Sequence, residues 1–216
     1  MFQTVSLLAF AAILGGILLH SLVFPCGYKP RFTFGAVLRK GVHLLTLLFL
    51  EQSRGWPARF RKLALMLGLL CFLVLGLTGF LPLLLGGRLG GYWLMLHATV
   101  APVFIACIAF VVVSGAQQYQ FCKQDSNQFI DLWKTRKTQG ACCLTDFSGA
   151  SKVGFWLLAA LSLPVALSMA ISMTPLFGTR GQEFLFDVHR WSALAFALVA
   201  LWTIYLVIRS EIRKDL

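Results

Sequence analysis

Acidic side chains are scarce in this chain. Its 216 residues include 8 Asp and Glu against 19 Lys and Arg, and charged residues of both signs make up only 12%. A soluble domain carries about a quarter, so a soluble globular protein is excluded. Six cysteines occur, but none stands in a Cys-x-x-Cys or Cys-x-x-Cys-His spacing. That removes covalent c-type haem attachment and the usual iron–sulfur and zinc-ribbon sites. Cys142 and Cys143 are adjacent, an arrangement that seldom bridges, and read as free thiols. No Lys or Arg precedes Lys29, and no small-x-small cleavage site follows the first apolar run. This run therefore reads as a retained membrane helix rather than a signal peptide.

What is present is apolar. The hydrophobic fraction is 58% and the mean hydropathy +0.79, the composition of a protein with several spans. The net charge of +11 is not a nucleic-acid footprint, because the basic residues gather in short segments between apolar runs. The expected fold is all-α: an integral membrane bundle of five transmembrane helices, an N-terminal helix plus a four-helix core.

Residues 1–26 hold the first span, over 4–24. Residues 27–62 form a basic segment whose apolar stretch after Lys40 is too short to cross, so it reads as interfacial or re-entrant. Gly55-Trp56-Pro57 breaks the pattern there. The core follows over 63–208. Its two hairpins are 63–113 and 153–208, with spans at 63–85, 92–113, 153–174 and 184–208, and a polar loop, 114–152, lies between them. Part of that loop, 127–138, can form a short helix. Residues 209–216 are a polar tail. Segments 27–62, 114–152 and 209–216 together hold 16 of the 19 Lys and Arg. The positive-inside rule then places the N-terminus outside and the C-terminus in the cytoplasm.

The hairpins repeat a phrase. Arg88, His97 and Phe104 recur as Arg180, His189 and Phe196, each displaced by the same interval. Each histidine begins a long apolar helix, at equal depth from the same membrane face. An ionisable residue inside a span is a functional candidate by default, and two histidines at matched depth can take a haem iron from both sides. Phe104 and Phe196, two turns further in, would pack near the ring or simply fill the bundle. Arg88, Arg180 and Arg190 would face haem propionates or anchor helix ends. His20 and His43, both toward the inner face, are the candidates for a second haem. Otherwise His20 bonds a neighbouring group and His43 belongs to a basic amphipathic helix. Glu183 and Asp187, close to His189, read first as helix N-terminal acids.

Leu77-Thr78-Gly79, Leu96-His97 with Phe104, and His189-Arg190 with Phe196 together resemble the transmembrane b-type cytochrome subunits of formate dehydrogenase, nickel–iron hydrogenase and thiosulfate reductase. The resemblance covers about residues 60–210. It implies a four-helix core in which His97 and His189 hold the outer haem, and electron exchange between a quinone pool and a partner redox subunit. Family members often carry a further histidine along the last helix for an inner haem, where this chain has Thr203, and the start of the second span, 61–66, also lacks the family's histidine.

The expectation is therefore a multi-pass protein of the bacterial cytoplasmic membrane, a cytochrome b with one haem b and a second only if His20 and His43 pair. Its partners would be lipid, quinone and a periplasmic cytochrome c or iron–sulfur subunit, with no nucleic acid. No catalytic side-chain set for another substrate is visible. A haem-free anchor or assembly subunit of a larger complex is the alternative. A transporter is disfavoured, because no acidic or basic residue other than histidine sits mid-span and the repeat is not inverted.

Overall fold

The computed structural model describes residues 1–23, 55–87, 89–122 and 148–214, with only the backbone for 148, 149 and 210–214. These residues form five helices and no strand: α1 (Phe2–Val23), α2 (Trp56–Leu84), α3 (Gly91–Gly115), α4 (Ser148–Ser172) and α5 (Thr179–Lys214). Each of the five is long and apolar enough to cross a membrane. In hydrocarbon no water can satisfy a free N–H or C=O, so a spanning segment must close its hydrogen bonds internally, as a helix does. At about 1.5 Å per residue, a 25-residue helix such as α3 exceeds the ~30 Å hydrocarbon thickness.

The spans fall where the apolar runs predict, but the helices outrun them. α2 begins at Trp56, with Gly55 as its N-cap and Pro57 in its first turn. A proline there forfeits no intrahelical bond, because first-turn N–H groups have no partner within the helix. The Gly-Trp-Pro break is thus the helix start, and Arg59, Arg61 and Lys62 lie inside α2. α5 likewise starts at Thr179 and runs through 209–214, the stretch read as a polar tail.

Antiparallel α2 and α3 form one hairpin, and α4 and α5 the other. Each hairpin packs closely within itself, and α3 also touches α4. α1 rests on α5 and α2. The first turn is made by Leu85, Gly86 and Gly87, whose N–H groups return to the carbonyls of Leu81, Leu83 and Pro82. Gly86 has φ +79°, a left-handed cap that glycine adopts without steric cost.

Small residues set the helix crossings, as is usual where lipid offers no hydrophobic drive. A methyl on Gly68 of α2 would lie 3.4 Å from Cβ of Cys107 in α3. The α4–α5 contact is tighter still: a methyl on Gly154 would lie 2.5 Å from Oγ1 of Thr203. In the bundle centre the buried rings of Phe104 and Phe196 meet edge to face, with centroids 5.8 Å apart, and Phe72 contacts both. The outward faces carry exposed Leu, Val, Phe and Trp side chains, as lipid-facing surfaces do.

Candidate functional site

His97 stands in the second turn of α3 and His189 in the third turn of α5. Both lie toward the end of the bundle that carries the two short turns, and both are half-buried. Seven residues on from each, the rings of Phe104 and Phe196 meet with centroids 5.8 Å apart.

Each ring is held through Nδ1 by the preceding helix of its own hairpin. His189 Nδ1 lies 3.0 Å from the carbonyl oxygen of Val165 in α4. A carbonyl only accepts, so Nδ1 carries the proton and donates it. Ser168, one turn along α4, sends its own hydroxyl proton to the same carbonyl at 3.2 Å and is 3.5 Å from His189 Nδ1. His97 Nδ1 lies 2.9 Å from Oγ1 of Thr78 in α2. The Thr78 hydroxyl donates to the carbonyl of Val74 at 2.8 Å, the usual back-bond of a helical threonine. Its oxygen is then free to accept from His97 Nδ1–H. His189 is thereby set in the Nδ1–H tautomer, and the Thr78 back-bond lets His97 take the same one.

Gly79 completes the seat of His97. A methyl at this position would lie 3.1 Å from Cε1 and 3.6 Å from Nδ1 of the ring, so the imidazole rests against bare backbone. Further into the bundle the Phe72, Phe104 and Phe196 cluster closes the interior, with Cys71 and Ala200 packed in the same core.

The arginines divide. Arg180 is exposed at the start of α5. Arg190 is held by Asp187 at 3.4 Å and lies 4.4 Å over the ring of Phe2 in α1. Phe2 also meets Trp191 edge to face at 4.9 Å, so Arg190 joins the end of α1 to α5. Asp187 serves as its ion-pair partner. Arg88 and His43 lie outside the described residues, as do the interfacial stretch 36–50 and the loop stretch 127–138.

His20 is held differently. Its Nδ1 lies 2.6 Å from the Tyr205 hydroxyl and 3.0 Å from Arg209 Nη1, and Arg209 also donates to Tyr205 at 2.8 Å. Arginine has only donors, so Nδ1 of His20 accepts and the ring proton sits on Nε2. This is the opposite tautomer to that of His189. Arg209 is 6% exposed, buried against α1 rather than extended in a tail.

Among the described residues no three His, Cys, Asp or Glu side chains converge. His97 and His189 stand on α3 and α5 as two imidazoles, and two is the number of axial positions a porphyrin leaves open. What the two imidazoles share with metal-bound histidines is the second partner: Nδ1 of each lies within hydrogen-bond distance of an acceptor on the preceding helix.

No protein-family profile, no curated protein and no solved structure matches this chain.

His97, His189, Phe104 and Phe196 stand out in the sequence, whereas Val165, Ser168 and Phe72 do not, and Thr78 and Gly79 stand out only within Leu77-Thr78-Gly79. A signal for the hydroxyls exists. Thr78 precedes His97 by 19 residues and Ser168 precedes His189 by 21, so the midpoint of each pair falls in its turn. Residues equidistant from an antiparallel turn stand at one level. The Val165 carbonyl leaves no such mark.

Proposed function

We propose that this protein is a membrane-integral b-type cytochrome subunit that exchanges electrons between the quinone pool and a partner redox subunit, with one haem held by His97 and His189. The observation that carries the reading is the matched state of the two histidines. On α3 and α5, Nδ1 of each lies within hydrogen-bond distance of an acceptor on the helix before it, an arrangement that would leave Nε2 for a ligand. An Nδ1–H···O bond fixes ring orientation and raises the basicity of Nε2, which is what an axial ligand needs.

When bound, haem would supply a one-electron couple at its iron. The chain supplies the rest. Val165 and Thr78 orient the rings, Gly79 leaves room for one of them, and the Phe72, Phe104 and Phe196 cluster keeps water from the bundle interior. A drier site strengthens every fixed charge and dipole in it. Thr203 packed on Gly154 leaves α4 and α5 in direct contact at the level where an inner haem would sit in the resembled family. With the donor-saturated Nδ1 of His20, this favours a single haem near the turn end.

The gathering of basic residues at the loop end supports, by the positive-inside rule, a turn end that faces outward from a bacterial inner membrane and a loop end in the cytoplasm. A haem near the outer face suits a periplasmic partner, such as a cytochrome c or an iron–sulfur protein. The test is anaerobic addition of a water-soluble quinol to the purified protein. Its b-type absorbance is expected to reduce fully. Haem that dithionite reduces and no quinol reduces contradicts quinone exchange.

A further inference from the structure

We infer that Thr78 is a positioning residue that sets the plane and donor strength of His97, and through it the reduction potential of the site. The inference rests on the haem reading. Thr78 is 1% exposed, and its hydroxyl, back-bonded to the Val74 carbonyl at 2.8 Å, holds its oxygen 2.9 Å from His97 Nδ1. Its neighbour Gly79 bears on Cε1 of the same ring. Two consecutive residues of α2 therefore fix the ring at two atoms.

The two hairpins differ here. His189 is held by a main-chain carbonyl, which no side-chain substitution removes. Ser168 stands at 3.5 Å from His189 Nδ1, longer than a good N–H···O bond, and spends its proton on Val165. The hydroxyl of Thr78 is thus the side-chain group through which ligand strength can be changed. An acceptor on Nδ1–H makes Nε2 a stronger donor, and a stronger donor stabilises the oxidised iron. Loss of the hydroxyl raises the potential.

The experiment uses the full chain, expressed with ample haem and purified in mild detergent. Thr78→Val keeps the shape and removes the hydroxyl, and Thr78→Ser restores it. Thr99→Val removes an exposed hydroxyl on α3 that only back-bonds to Met95 and Leu96. The readouts are the midpoint potential, the low-spin ferric EPR signal and haem retention. Thr78→Val is expected to raise the potential, shift the EPR signal and weaken haem retention about tenfold or more. Thr78→Ser and Thr99→Val should match the unaltered protein. Thr78→Val indistinguishable from wild type, or Thr78→Ser shifted as far as Thr78→Val, overturns the inference. Should Thr78→Val fail to fold, proton NMR of the oxidised wild type decides. Two ring N–H resonances protected from deuterium exchange support the inference, and only one overturns it. A haem-bearing wild type indifferent to Thr78→Val removes this inference alone, whereas a folded wild type without haem removes the cytochrome reading with it.

Discussion

His189 donates its Nδ1 proton to the main-chain carbonyl of Val165 across 3.0 Å, from one helix of a hairpin to the other. His20 does the reverse: its Nδ1 accepts from Arg209 at 3.0 Å. The same side chain in one bundle is therefore an Nδ1 donor in one place and an Nδ1 acceptor in another.

The difference predicts that His20→Phe leaves the haem spectrum and the haem-to-protein ratio unchanged. Pyridine haemochrome on the purified variant checks this. A fall from two haems to one would instead give His20 an axial role.

Tyr205 and Arg209 tie α1 to α5 through His20. Tyr205→Phe removes the phenol that bonds both charged and neutral partners, at a cost of about 1–3 kcal/mol. Thermal unfolding in detergent should show a lowered midpoint with the haem absorbance unaltered below it. Equal stability would mean that the network does not hold α1.

Gly79→Ala places a methyl 3.1 Å from Cε1 of His97. Overpacking of this kind costs about 1–3 kcal/mol, and here the strain falls on the ring itself. Haem content is expected to drop while helicity by circular dichroism stays near wild type. Full haem content would show that the ring has room to move.

Gly154→Ala meets Thr203 of α5 at 2.5 Å, where neither helix can yield without moving. A stability loss of about 1–3 kcal/mol follows from overpacking, and Thr203→Ala in the same chain should recover part of it. Additive single effects in that double-mutant cycle would deny the contact.

Much of this was legible in the chain. The apolar runs located all five spans, with α2 starting seven and α5 five residues ahead of the run, because the bilayer demands about twenty apolar residues and little else. Helix ends were less legible: lipid sets hydropathy, whereas the backbone keeps its helical bonds into water, as α2 does through Arg59 and Lys62. Spacing alone placed Phe104 and Phe196 at one level, and the rings touch. The supports of the histidines were hidden for two reasons. Val165 acts through a carbonyl that every residue has, and Tyr205 lies 185 residues from the His20 it holds.

The central claim is that His97 and His189 hold a haem between α3 and α5. Haem should be counted by pyridine haemochrome, beside a dithionite-reduced minus oxidised spectrum, in wild type, His97→Ala and His189→Ala. The account predicts one b-type haem per wild-type chain and its loss from either variant. No haem in folded wild type made with ample haem, or haem kept by both variants, contradicts it.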